Sequence, residues 1–251
     1  MLNYKIKSDN YNQDEDENSL NTVDVLSLIS CVSHELKTPL CTAVGYSELL
    51  ENEVKSLESD NINMDYFEHV RDSGKHILQI INTIQYIAKV EDSSFCLNKT
   101  AIDLQALLLI CKNTFINELS KKNITLSIYA PKNMIELYAD ENFVRLSIES
   151  QLFDIIKSTN ENTELLIKVS KKTNKTITVS IVEMAQPFNN KIVALPEAYT
   201  DHSWNGIIKE YKDRALSIIL AKTIVTKHEG SFDIYKNKAE GTVCTLRFPI
   251  I

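Results

Sequence analysis

The strongest constraint on the fold is a pair of long segments with helical apolar periodicity, Thr22 to Lys55 and Met64 to Val90. Only the polar stretch Ser56 to Asn63 separates them. So short a connection between two long helices predicts an antiparallel hairpin. On the second helix Val70, Ile77, Ile80, Ile81, Ile84, Ile87 and Ala88 share one broad apolar face. One hairpin cannot cover a face that wide, so a second copy is expected to complete a dimeric four-helix bundle.

Within the first helix lies Val32-Ser33-His34-Glu35-Leu36-Lys37-Thr38-Pro39-Leu40. Pro39 has no N–H to give the carbonyl of Glu35, so the helix is expected to loosen there. A carboxylate beside an imidazole can orient it and take its proton, which leaves the other ring nitrogen nucleophilic. Thr38 lies one helical turn from His34 and reaches the same space, and Lys37 adds a positive charge nearby. The bland reading is a surface histidine that happens to precede a glutamate.

Composition removes several functions. A net charge of -7, with no basic stripe, argues against a nucleic-acid partner. Five cysteines (Cys31, Cys41, Cys96, Cys111, Cys244) without CxxC spacing read as reduced core thiols, with zinc improbable. No apolar run approaches the ~20 residues that span a bilayer, and no signal peptide is visible, so membrane insertion is not expected and a cytoplasmic protein is. Residues 1–20, with the acidic cluster Asp14 to Glu17, read as a flexible polar leader.

After residue 92 the pattern changes. Asp92-Ser93-Ser94 reads as a linker, followed by a short extended piece and a helix from Leu104 to Lys121. Strands follow at Ile124 to Tyr129 and Ile135 to Ala139. Asp140 is a plausible N-cap for a helix from Glu141 to Ser158. Strands at Glu164 to Ser170 and Thr176 to Met184 form a hairpin. A long irregular stretch, Gln186 to Asn205, leads into a helix ending near Lys227, and strands Ser231 to Tyr235 and Thr242 to Phe248 close the sheet. The fold class is therefore α+β: residues 21–92 a dimerisation hairpin, residues 93–251 an α/β sandwich with helices on one face of a mixed sheet.

The stretch Leu28 to Leu50, LISCVSHELKTPLCTAVGYSELL, resembles the first dimerisation helix of two-component sensor histidine kinases, with their H-box at His34. In order and spacing, residues 93–251 resemble the ATP-binding domain of the same family. The resemblance implies a homodimer, His34 as phosphoacceptor on its flank, and a response-regulator receiver domain as partner. It also implies that Thr38 positions water when a bound regulator is dephosphorylated. Without a membrane-spanning sensor, any signal is expected to arrive in the cytoplasm.

Departures from the family concentrate in the nucleotide pocket. Where the family has NxxxNAxK, this chain has Ser150, Asp154 and Lys157. Where the family holds adenine with an aspartate followed by spaced glycines, it reads Glu183-Met184-Ala185-Gln186-Pro187-Phe188. The phosphate-cradling GxGL reads Ala215-Leu216-Ser217-Ile218. The five glycines (Gly45, Gly74, Gly206, Gly230, Gly241) all lie elsewhere. A Cβ at 185, 215 or 217 fills space where backbone should approach the nucleotide, and Pro187 lacks a donor. Asp213 would set a carboxylate at the anion-binding end of the last long helix. Against this, Ser150, Asp154 and Lys157 recur at i, i+4 and i+7 beside Glu149, so oxygen ligands for Mg²⁺ are changed rather than absent.

The remaining histidines carry less. His69 and His76 are expected to be structural or solvent-facing, and His228 resembles the family's turn after its last helix. His202 and Trp204 fall where the family has its ATP lid, and packing is the default there. Three readings follow. In the first, the chain resembles kinase-derived histidine phosphotransferases: His34 exchanges a phosphoryl group with a regulator aspartate, or takes it from an upstream kinase, and no cofactor is expected. In the second, it is an autokinase with a divergent pocket that uses ATP and Mg²⁺ through Glu183 and Asp154 or Glu149. In the third, it is a pseudokinase scaffold, against which the intact H-box argues.

Overall fold

The structure, a computed structural model, describes residues 22–55, 64–131, 136–172, 176–184, 207, 211, 214–237 and 241–250. The leader, the polar turn after Lys55, and Ala185, Pro187, His202, Trp204, Gly206 and Asp213 lie outside the described residues.

The hairpin forms as its periodicity requires. Helix α1 spans Thr22–Lys55 and α2 spans Met64–Glu91. Helix α1 continues as one helix through Pro39, which is buried. The Thr42 hydroxyl donates to the carbonyl of Thr38 at 3.0 Å, adding a bond to the turn that Pro39 weakens. On α2 the broad apolar face divides in two. Ser73, Ile80 and Ile87 repeat at seven-residue spacing and are buried with Val90. Ile81 and Leu78 remain 40 % and 62 % exposed, and Ala88 is exposed as well. On α1, Ile29, Leu40, Val44, Leu49 and Val54 are likewise exposed. A run of large apolar side chains is thus left in water along the outside of both helices.

The second part starts with β1 (Thr100–Asp103), α3 (Leu104–Thr114), α4 (Ile116–Lys121), β2 (Thr125–Tyr129) and β3 (Glu136–Ala139). It continues with α5 (Glu141–Ser158), β4 (Glu164–Lys172), β5 (Thr176–Met184), α6 (Ala215–Lys227), β6 (Ser231–Asn237) and β7 (Gly241–Pro249). The single helix expected from Leu104 to Lys121 is broken at Phe115. There the Thr114 hydroxyl turns back to Ile110 O (3.2 Å) and across to Glu149 Oε1 (3.0 Å), and the Phe115 ring is buried.

Five strands pair in the order β2-β4-β5-β7-β6, with β2 parallel to β4 and the rest antiparallel; β1 and β3 form a separate antiparallel pair. Register aligns Ile167 with Ile181, Ile181 with Cys244, and Cys244 with Ile234. Alternation then sends these four buried residues to one face, where they join the core with residues of α5 and α6. The same core reaches Ile80, Ile87 and Val90, because α2 packs against α6. Asp140 caps α5 as expected, accepting from Phe143 N (3.4 Å) and from Asn98 N (2.9 Å) of the linker. The other end of α5 is closed by Lys122, whose ammonium donates to the carbonyls of Ile156, Lys157 and Thr159 at 2.8, 2.8 and 3.0 Å.

Candidate functional site

On α1 the inward positions are taken by Val32 and Leu36, packed against the core, and by the buried Cys31 and Pro39. Helical spacing therefore turns His34 outward, and it is exposed, as are Lys37 and Thr38 one turn later. Glu35 is half-buried, and the Cys31 thiol lies 3.6 Å from its Oε1. The imidazole is open to solvent, with a hydroxyl, an ammonium and a carboxylate on the same stretch of helix.

The residues at the family's nucleotide positions are bound up with one another. The Asp154 carboxyl on α5 accepts from the Ser217 hydroxyl on α6, and that hydroxyl also lies 2.9 Å from the carbonyl of Arg214. One hydroxyl proton cannot serve both acceptors, so protonating Asp154 would satisfy the set, the acid donating to Ser217 and Ser217 to Arg214. Burial pushes Asp154 up to about 6, against the opposing pull of Ser217, Arg214 and Lys157. Ala215, the first residue of α6, is fully buried. Arg214 caps α6 without a side-chain bond to it, and its Nε and Nη2 are buried with no hydrogen-bond partner among the described residues. The charge of Arg214 acts on both Asp154 and Cys244.

Gln151, fully buried, donates from Nε2 to Ser217 O at 2.8 Å, and its Oε1 lies 3.5 Å from Cys244 Sγ. Burial pushes the Cys244 thiol up to about 12. At the end of β5 Glu183 accepts from the Thr159 hydroxyl at 2.9 Å and from Thr242 N at 3.4 Å. Sequence reasoning found Asp154, Glu183 and Ser217 but missed Gln151, Thr159, Arg214 and Cys244, because no local motif marks partners drawn from separate elements.

The other expected members go elsewhere. Glu149 accepts from Thr114 and pairs with Arg145 at 3.8 Å, so it does not join Asp154. Ser150 donates back to Ser147 O at 3.0 Å. Lys157 leaves the pocket and brings its ammonium to 3.4 Å from His76 Nε2 on α2. Among the described residues no three of His, Cys, Asp and Glu converge as a metal site.

His69 is exposed and stacks on Tyr46 with ring centres 4.4 Å apart. His228 is buried, its Nε2 accepting from Asp140 N at 3.1 Å and its Nδ1 lying 2.8 Å from Ile224 O. Those bonds fit a neutral imidazole, and burial lowers its pKa. It ties the end of α6 to the start of α5, which is a structural role. The cysteines form no disulfide among the described residues, and Cys41 and Cys96 are exposed rather than in the core. Among the described residues no helix is long and apolar enough to cross a membrane.

Residues 25–93 match the family profile of the His Kinase A (phospho-acceptor) domain. An uncharacterized sensor-like histidine kinase of Rhizobium meliloti is 22% identical over 228 residues, which cover 88% of this chain and 42% of the relative. The chain therefore spans less than half the length of that relative. Among solved structures, the Acinetobacter baumannii histidine kinase AdeS superposes with a TM-score of 0.62 at 13% identity, covering 86% of this chain and 97% of that one. Histidine kinase ThkA, solved in complex with response regulator protein TrrA, gives a TM-score of 0.62 at 17% identity over 90% of this chain and 62% of that one. At these identities the two structures show a shared fold, a helical hairpin followed by an α/β domain with a mixed sheet. Residues 25–93 thus match a phospho-acceptor domain, and over most of its length the chain is similar to sensor histidine kinases.

Proposed function

We propose that this protein carries a phosphoryl group on His34 and exchanges it with the aspartate of a response-regulator receiver domain, without binding ATP itself. The observation that carries the second clause is the engagement of the pocket's own polar groups. Glu183 is taken up by Thr159 and Thr242, and Asp154 by Ser217. A nucleotide entering there would have to break those bonds and desolvate Arg214 and Asp154 further.

In the exchange, the unprotonated imidazole nitrogen of His34 attacks phosphorus. The P–O bond to the regulator's aspartate breaks, a P–N bond forms, and the aspartate leaves as a carboxylate. The proton on the other ring nitrogen passes to Glu35 or water. Return transfer runs the same steps backwards, and Thr38 holds the water that hydrolyses the regulator's aspartyl phosphate. A receiver domain as partner is supported by the likeness to ThkA, whose structure holds a response regulator. A homodimer is supported by the exposed apolar run of Ile29, Leu40, Val44, Leu49, Leu78 and Ile81.

A second reading, autophosphorylation of His34 from Mg-ATP, is favoured by the relatives being sensor kinases and by the carboxylate that Glu183 retains. A calorimetric titration of the whole chain with Mg-ATP separates the two. Absence of heat at millimolar nucleotide, together with transfer from a phosphorylated receiver domain to His34, is the expected result. Saturable micromolar binding would establish the kinase reading instead.

A further inference from the structure

Lys157 and His76 belong to different parts of the chain, yet they meet across the seam between the hairpin and the α/β domain. The ammonium of Lys157 stands 3.4 Å from His76 Nε2. At that distance only a neutral imidazole can accept from it. The contact is framed by Phe153 of α5, whose ring centre lies 6.5 Å from the His76 ring and 5.9 Å from the Lys157 ammonium. Further along α2 the seam is aromatic and cationic: Tyr86 meets Phe143 edge-on at 6.2 Å, and the Lys89 ammonium lies 5.7 Å from the same ring.

We infer that the His76–Lys157 pair is a proton-operated latch that holds the α/β domain against the helical hairpin. While His76 is neutral it accepts the Lys157 ammonium and ties α2 to α5. Once protonated it has no lone pair to offer, and two cations stand 3.4 Å apart, the imidazole half-buried and the ammonium exposed. Like charges that close repel each other, the more so because the imidazole is partly shielded from water. From α5 the charged groups are Lys157 and, one turn earlier, Asp154, whose carboxyl is turned to Ser217 on α6. On α2 itself Lys75 adjoins His76, and Asp72 lies one turn away, already held by Arg71 and Lys75. No free carboxylate therefore faces the imidazole from these groups to compensate its charge. Burial and Lys157 together hold His76 below the ordinary imidazole value, so the latch is shut at neutral pH and opens on acidification. The inference stands independently of what His34 does.

Small-angle scattering of the full chain tests it. The native protein is expected to scatter as a more extended particle at pH 5.5 than at pH 7.5. His76→Gln, an uncharged acceptor at every pH, stays compact at both, and Lys157→Met, at an exposed position, also loses the pH response. His76→Arg, charged without acid, is extended already at pH 7.5. Asp154→Asn controls for a carboxyl that titrates in the same range and keeps the native response. Identical native scattering at both pH values overturns the latch, as does a response that survives His76→Gln or Lys157→Met.

Discussion

The carboxylate of Asp154 on α5 and the hydroxyl of Ser217 on α6 are hydrogen-bonded across 63 residues of sequence. They stand where the family's pattern has an asparagine and a glycine. Because burial raises Asp154 to about 6 from 3.8, its ionised form is the strained one in the folded state. The stability it contributes is fully present below its unfolded pKa of about 3.9 and is lost as pH rises through about 6. Asp154→Asn, which mimics the neutral acid and restores the family's residue, is expected to raise stability at pH 7.5 by about 1–3 kcal/mol. The gain should vanish toward pH 4, as read from urea melts at both values.

His228 works in the opposite direction. Its pKa is lowered by burial, so its contribution is present above the ordinary imidazole value and lost as pH falls through the lower folded one. His228→Ala removes the acceptor for Asp140 N and the group beside Ile224 O. It is expected to cost about 2–4 kcal/mol at pH 7.5. The gap to the native protein should narrow at pH 5 in the same denaturation assay.

Gly230 follows the turn that ends α6, and a Cβ there would stand 2.0 Å from the carbonyl oxygen of Arg247 and 2.9 Å from Val225 Cγ1. Backbone on β7 cannot retreat without disturbing its pairing with β6. Gly230→Ala is therefore expected to destabilise by about 2–3 kcal/mol or more, visible as a lowered Tm.

His34 is exposed on α1 and holds nothing in the core. His34→Ala should leave the oligomeric state and Tm unchanged while abolishing phosphoryl exchange with a receiver domain, followed with radiolabelled phosphate. Exchange that persists in this variant would move the phosphoacceptor elsewhere.

Sequence alone made the hairpin legible because apolar side chains recur on a helical period over two long segments, and local periodicity needs no knowledge of the rest of the chain. It also marked His34, since a histidine, a glutamate and a proline in that spacing are a local pattern. The break at Phe115 was not legible, because it depends on Thr114 meeting Glu149 from another helix. Nor were the pocket partners. Gln151, Arg214 and Cys244 are ordinary residues until α5, α6 and β7 bring them together. The direction of Lys157 was misjudged for a related reason. Its position suits the pocket by helical spacing, but packing of the hairpin offers it His76 instead.

The parallel pairing of β2 with β4 has a consequence for the order of assembly. Those two strands can meet only after the chain between them, including all of α5, has been gathered into a crossover. Contacts within the hairpin join neighbours in sequence and form sooner than such distant pairings. On the ribosome the helix bearing His34 emerges and pairs first, while the partners of Asp154 and Glu183 await the last strands. The apolar stripe on the outside of the hairpin is thus formed before the α/β domain exists.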